Sequence, residues 1–348
     1  MRSRRLSRYA IQTAEVVAGY RCNHQRRPQG TTIAGFAGTS AAHPGTAEDG
    51  PGPPEWCKVR PAMSLLTRPD FELPDLRIVE VDRLVPHEQH DDQRSLPLVA
   101  ALKSAGVLKN PPVVTALAPH DPNERRFVVL DGANRSTAAK LAGLPHMLVQ
   151  VVRYDDPAVR LTTWHHALVS YPRESIEQLF ASMPDLVQHS DDPLHARATL
   201  ARREAFAIID TGARCYTLHG AGDVRQQNEL LNRVVDSYRG RTRYHRVVGE
   251  FLADAQEHFP SVTALVVFPH FGRAEILELA MSGARLPAGI TRHLIPWRAL
   301  RVNVPIERLA DPSQTAEAKT EWLHDWLQEK VLARSVRFYE ESTVLFDE

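Results

Sequence analysis

The chain has 348 residues, and its 42 lysines and arginines are balanced by 42 aspartates and glutamates. That length suffices for two globular domains, and the neutral balance leaves no global field to draw the protein onto nucleic acid or an anionic membrane. Cys22, Cys57 and Cys215 are too scattered for a disulfide framework or a paired-cysteine metal knuckle, and no apolar run approaches the roughly 20 residues of a membrane span, so a cytoplasmic protein is expected.

Residues 1–61 are rich in Arg, Gly, Pro, Ser and Thr and cannot build a core, so disorder is expected there. Met63 opens a segment that reads as an ordinary protein start, which suggests that residues 1–72 are a disordered or overextended leader. A strand is expected at 76–81, then a polar loop over 82–91 that holds His87, Glu88 and His90. A helix follows over 94–105, with Leu98, Ala101 and Leu102 on its apolar face and Gly106 as its stop. A turn then leads into a strand at 113–115.

Residues 126–130 are a β-rich apolar run that meets Asp131-Gly132, and the helical pattern behind it places Ala138, Leu141 and Ala142 on one stripe before Gly143. Strand, tight turn and helix in that order expose the first helical N–H groups where the dipole favours negative charge, and Arg135 adds a planar cation. The turn is a place for phosphate. The same residues also suit an ordinary connection in which Asp131 only caps the helix, and the local pattern does not choose between the two. With a further strand at 147–152, the alternation implies a compact domain of mixed sheet over 73–155.

Beyond Val152 the pattern reads as mostly amphipathic helix over 172–207, a strand at 213–218, helices at 225–238 and 247–257, and an apolar strand at 263–268. A helix at 274–282, a strand at 301–304 and a helix at 315–329 carrying Trp322 and Trp326 complete a second α/β domain, 156–348, without internal repeat. A cleft between the two domains is the natural place for small ligands. His87-Glu88-Gln89-His90 lacks the spacing that sets two imidazoles one helical turn apart, so zinc hydrolysis is disfavoured. The adjacent His165 and His166 point apart on any regular element. By themselves Glu88 is a solvated acid, Trp164 a packing residue and Thr291 unremarkable.

Several motifs in one order carry more information than any of them alone. A valine-proline loop and helix precede Gly106-Val107-Leu108-Lys109-Asn110-Pro111 and its strand, then Asp131-Gly132-Ala133-Asn134-Arg135. Thr162-Thr163-Trp164-His165-His166, Leu286-Pro287-Ala288-Gly289-Ile290-Thr291-Arg292 and Val336-Arg337-Phe338-Tyr339-Glu340 follow. Over about residues 76–346 the chain resembles the ParB/sulfiredoxin superfamily, and within it the free L-serine kinases, of which one type serves siderophore synthesis and another archaeal cysteine synthesis. The turn has no cysteine, so sulfiredoxin's sulfinic-acid chemistry cannot run. No convincing helix-turn-helix follows Val152, against a chromosome-partition ParB. Asn134 stands where the kinases usually carry a histidine; it can hydrogen-bond a phosphate but carries no proton charge.

The resemblance implies an α/β (α+β) fold, a small ParB/sulfiredoxin-like domain plus a second domain with the active site in the cleft, and phosphoryl transfer from ATP or ADP to free L-serine with Mg²⁺. It implies Glu88 as general base, Asp131 as a catalytic group and tentative magnesium ligand, and Gly132, Ala133, Asn134, Arg135 and Lys109 at the nucleotide phosphates. It gives Trp164 and Thr291 to the serine pocket, with Arg292 or Arg298 as partners for the serine carboxylate; among the histidines, His90 is the one expected behind the base. The alternative reading is a ParB-like nucleotide-binding regulator that contacts DNA and transfers nothing. Partners are then a nucleotide and a small hydroxy amino acid, with no membrane.

Overall fold

The computed structural model describes residues 73–339 apart from 91, 122, 191 and 221, so the expectations for residues 1–72, the Met63 start and Glu340 lie outside the described residues. In chain order the elements are β1 (Leu76–Glu80), β2 (Leu84–Pro86), α1 (Asp92–Ala105), β3 (Val107–Leu108), β4 (Val113–Ala116), β5 (Phe127–Asp131), α2 (Ala133–Leu141) and β6 (His146–Val151). Next come β7 (Arg160–Thr163), β8 (His165–Val169), α3 (Arg173–Ala181), β9 (Val187–Ser190), α4 (Pro193–Ala201), β10 (Ala205–Asp210), β11 (Cys215–His219), α5 (Val224–Asp236) and β12 (Arg243–Val247). The chain closes with α6 (Leu252–His258), β13 (Val262–Val267), α7 (Arg273–Met281), β14 (Thr291–Leu294), β15 (Val304–Pro305), α8 (Ile306–Ala310) and α9 (Ala316–Leu332).

Five strands form a mixed sheet in the order β1-β6-β4-β5-β2, as expected. The β4–β6 and β2–β5 pairs are parallel, the others antiparallel. A second, six-stranded sheet in the order β12-β8-β13-β10-β11-β9 is antiparallel throughout. One apolar cluster joins Val128 and Leu130 of the first sheet to Leu168, Phe206, Ile209 and Val266 of the second. The ends of β2 and β5 are thereby held against the second sheet's side of the molecule.

Helix α9 returns to the first sheet, where Leu323 and Leu327 pack with Leu76, Ile78 and Leu148. Lys319, buried to 1% exposure, fixes its seat by donating to the carbonyls of Leu309, at 3.2 Å, and Asp311, at 2.5 Å, and to Nδ1 of His146 at 3.0 Å. A buried ammonium persists because each of its protons has an acceptor.

Several expected elements differ. The 82–91 loop contains β2, a three-residue edge strand that Pro86 ends. The helical reading of 172–207 missed β9 and β10; β10 is buried along its whole length, and a short apolar run of that kind carries no period to distinguish it from helix. The helix expected at 247–257 begins later, as α6 over Leu252–His258, and Val247 instead ends β12. Residues 301–303 are loop, with Arg301 and Asn303 in the left-handed region, and only Val304–Pro305 is strand. Ala101 is exposed and Ser95 is buried instead, while Leu141 is 56% exposed and α2 packs through Ser136, Ala138 and Ala139.

Candidate active site

β5 ends in the sheet's interior and must turn at once into α2. Gly132 makes that turn at φ +95°, and a Cβ there would sit 3.0 Å from Pro112, so a left-handed residue with no side chain is required twice over. No side chain caps α2. Its first-turn N–H groups have no intrahelical partner, which leaves them to a ligand. Asp131 therefore is not the helix cap that the bland reading allowed. Its Oδ2 accepts from the Arg135 guanidinium at 2.9 Å and from Arg298. Burial works to raise the Asp131 carboxyl, but Arg298 and then Arg135 outweigh it and hold it below the ordinary carboxylate range. Asn134 accepts from the buried Ser95 hydroxyl of α1 at 3.2 Å. Lys109 is exposed beside Asn110, whose carbonyl takes Arg135 at 3.2 Å.

Arg298 arrives from a loop that the sequence pattern did not reveal. The amide of Gln150 clamps it, donating to the Trp297 carbonyl at 3.1 Å and accepting from the Ala299 N–H at 2.9 Å. Asn110 accepts the Arg301 N–H at 2.9 Å. The buried amides of Gln150 on β6 and Asn110 in the turn between β3 and β4 thus fix residues 297–301, in which Trp297 and Arg301 stand at positive φ, a conformation that L-residues adopt only when their surroundings fix it.

Glu88 follows β2 by two residues. Its backbone bridges Leu286, with the Gln89 N–H on the Leu286 carbonyl and the Leu286 N–H on the His87 carbonyl, each at 2.8 Å. This joins the first sheet to residues 286–291, and the half-buried Glu88 carboxylate is gripped by that loop. Oε1 accepts from the Thr291 N–H at 2.6 Å and the Thr291 hydroxyl at 2.5 Å, while Oε2 accepts from the Gly289 N–H at 2.8 Å. A carboxylate oxygen has about two lone-pair sites, so Oε1 is filled and Oε2 keeps one for an incoming hydroxyl. His87 is wired to this group: its Nε2 lies 2.8 Å from the Thr291 hydroxyl and its Nδ1 2.6 Å from the Val129 carbonyl. His87 is edge-on to His293, whose Nε2 meets the Tyr154 hydroxyl at 2.8 Å. Burial, then the neighbouring His87, pushes His293 down to about 3, while Asp131 pulls the other way. Glu88, Thr291, His87, His293 and Asp131 therefore form one contiguous group spanning the two halves of the chain.

Trp164 sits at the break between β7 and β8, its N–H on the Ile290 carbonyl at 2.8 Å, and the Arg292 guanidinium lies over its ring at 4.5 Å. Arg292 is thus brought to the Glu88 loop, whereas Arg298 belongs to the Asp131–Arg135 turn. His165 and His166 face opposite sides of β8, as adjacency dictates. His166 is fully buried, bonded to the Tyr238 hydroxyl at 2.7 Å and 3.4 Å from the Gly289 carbonyl, and desolvation lowers it to about 3. It supports the loop whose Gly289 N–H holds Glu88. Gly289 itself has φ +74°, and a Cβ there would overlap the guanidinium of Arg246 from β12. Among the described residues no carboxylate pairs with Arg246. Sequence reasoning missed His87 as a partner of the base, Arg246 and the 297–303 loop. His87 was visible only as a neighbour of Glu88, and nothing in the local sequence marks the other two.

No family model matches the chain. It is 24% identical over 235 residues to an ATP-dependent L-serine kinase of Staphylothermus marinus, spanning 67% of this chain and 90% of that protein. It is 25% identical over 260 residues to the ATP-dependent L-serine kinase SbnI of Staphylococcus aureus, covering 73% and 89%, and 21% identical over 248 residues to the ADP-dependent L-serine kinase SerK of Thermococcus kodakarensis, covering 69% and 97%. Among solved structures, a C-terminally truncated SbnI superposes with a TM-score of 0.58 at 21% identity, over 74% of this chain and 97% of that one. A free serine kinase carrying a glutamate-to-glutamine change, in complex with AMP, gives 0.58 at 18% identity, over 69% and 98%. The chain is thus similar to L-serine kinases over nearly their whole length and shares the fold of the solved ones.

Proposed function

We propose that the protein transfers a phosphoryl group from ATP or ADP to the hydroxyl of free L-serine, giving O-phospho-L-serine. The observation that carries this reading is Glu88: three donors from one loop fix its carboxylate, one Oε2 lone pair stays open, and a chain of contacts ties it to the phosphate turn. The relatives with established names are kinases of this kind, which favours transfer over the DNA-binding regulator.

In this reading residues 73–155 hold the nucleotide and residues 156–348 complete the serine site. The first-turn N–H groups of residues 132–135, with the Arg135 and Arg298 guanidiniums and Lys109, hold the phosphates and spread the charge of a loose transition state. Serine lies between Glu88 and Trp164, its carboxylate on Arg246 with Arg292 beside it. Arg246 is half-buried, has no acid partner among the described residues and abuts the Gly289 backbone that holds Glu88, which supports a guanidinium fork as the partner of the zwitterion's carboxylate. As the serine oxygen bonds to phosphorus, its O–H breaks towards Glu88 Oε2 and the bond from phosphorus to the departing nucleotide oxygen breaks.

Magnesium fits this arrangement: Mg²⁺ is bound through one or two carboxylates plus phosphates and water, and Asp131 Oδ1 carries no protein hydrogen bond among the described residues while Oδ2 is taken by the two arginines. The ion would neutralise phosphate charge. Incubating the purified protein with serine and either ATP or ADP, and detecting phosphoserine by mass spectrometry, tests the function. Absence of product with both donors, with magnesium present, would refute it.

A further inference from the structure

The hydrogen bonds around Glu88 fix more than its position. Along the row Val129 carbonyl, His87, Thr291 hydroxyl and Glu88 carboxylate, the three contacts are 2.6, 2.8 and 2.5 Å. Each needs one proton. The Val129 carbonyl has none to give, so His87 Nδ1 carries the first. The Thr291 hydroxyl supplies only one proton, yet it meets both His87 Nε2 and Glu88 Oε1. A neutral His87 beside an ionised Glu88 would leave one of those two contacts as lone pair against lone pair. The row therefore holds one proton more than that state, on Nε2 or on Oε1. On Oε1 it would spoil Glu88 as a base; on Nε2 it leaves the carboxylate ionised, with Thr291 donating to Oε1 and Oε2 open.

We propose that His87, as an imidazolium, acts through the Thr291 hydroxyl to hold Glu88 in its proton-accepting state, so that the base is competent only while His87 carries its second proton. His87 is a positioning residue here: it touches neither reactant. The proposal rests on the kinase reading of the site and deepens it.

The groups that face His87 are consistent with a cation there. From β14, the nearest ring, His293, is kept neutral by burial and then by His87 itself, and so does not compete for the charge. Asp131 lies beyond His293 on the β5 side with Arg135 and Arg298 upon it, Glu88 lies beyond Thr291, and Arg246 and Arg273 stand behind the Gly289 loop and Tyr154. His87 itself is 2% exposed, so its two N–H donors must find protein acceptors, and Val129 and Thr291 are those acceptors.

Deprotonating His87 breaks the row, so turnover should fall on the alkaline side of the pH profile. Glutamine in place of His87 carries a permanent donor near the Nε2 position that does not titrate. His87→Gln should therefore keep most of the turnover and lose the alkaline limb. His87→Leu and Thr291→Val should lower kcat by about 10- to 100-fold, a loss of the size of one buried charge-assisted hydrogen bond, with nucleotide affinity kept, and Thr291→Ser should restore it. Nitrogen-15 NMR of the histidine rings in the unliganded wild-type protein reads the protons directly: Nδ1 and Nε2 of His87 both protonated at the pH of maximal activity support the assignment. An unprotonated Nε2 there, or an alkaline limb unchanged in His87→Gln, overturns it. Wild-type protein that makes no phosphoserine would instead defeat the kinase reading, and the NMR result would still decide the proton.

Discussion

Two glycines with the same backbone conformation separate the fold from the site. Gly283 and Gly289 both stand at φ +74°, but a Cβ on Gly283 meets nothing within 4 Å, whereas one on Gly289 overlaps the Arg246 guanidinium. Alanine at either position carries the left-handed penalty of about 1–2 kcal/mol. At Gly289 the obstructing atoms are the end of a flexible side chain, so Arg246 can swing away at small cost to the fold. The two variants should therefore melt a few degrees below wild type and close to one another. They should differ in substrate binding. If Arg246 holds the serine carboxylate, displacing it removes a charge-assisted contact of about 1.5–3 kcal/mol, so Gly289→Ala should raise KM for serine about 10- to 150-fold while KM for the nucleotide stays put. Gly283→Ala should change neither constant. Steady-state kinetics with serine and nucleotide varied in turn, beside thermal melts of all three proteins, make the comparison. Equal serine KM values in the two variants would show that Arg246 does not read the substrate.

Other substitutions probe the remaining contacts. Glu88→Gln can present its amide oxygen to Thr291 only by turning its NH₂ onto the Gly289 N–H, a donor facing a donor that costs about 1–3 kcal/mol, and it cannot take a proton. Its kcat should drop by about 10²–10⁴ while calorimetry finds nucleotide binding largely intact; full activity would remove Glu88 as the base. Arg298→Ala should weaken nucleotide binding about tenfold or more without changing serine KM, because its guanidinium serves the phosphate turn; the converse pattern would return Arg298 to the serine site. His165 and His166 are buried and lowered to about 4 and about 3, in both cases chiefly by desolvation. Their folded values lie below the unfolded 6.5, so the stability they contribute is complete above pH 6.5 and is lost as pH falls towards the folded values. Denaturant unfolding at about pH 7 and about pH 5 should differ by about 2 kcal/mol for each of them, and equal stabilities would contradict their burial as neutral rings.

The strand-turn-helix around Asp131 was legible because its signals are local: an apolar β-branched run, an Asp-Gly pair, and a helical stripe closed by glycine. The mixed character of the first sheet followed from the order of such segments. β10 was not legible, since a strand buried on both faces has no alternation to display. Leu141 was misplaced because Ala138 marks one edge of the buried face of α2, which runs on through Ala139 to Ser136, and Leu141 lies beyond that edge.

The site divides in the same way. Local chemistry and the family motifs named Glu88, the 132–135 turn and Thr291 before any fold was known, since each motif keeps its residues within a few positions of one another. What Thr291 does, bonding Glu88 and His87 together, depends on a contact 203 residues away in the chain. Arg298 on Asp131 spans 167 residues, and Arg246 reaches Gly289 only through the pairing of β12 with β8. Sequence by itself determined which chemical groups are present and how the backbone turns beside each. Only the tertiary structure decided which of them touch, because side chains far apart in the chain meet through sheet register and core packing, and neither is written in any short stretch of residues.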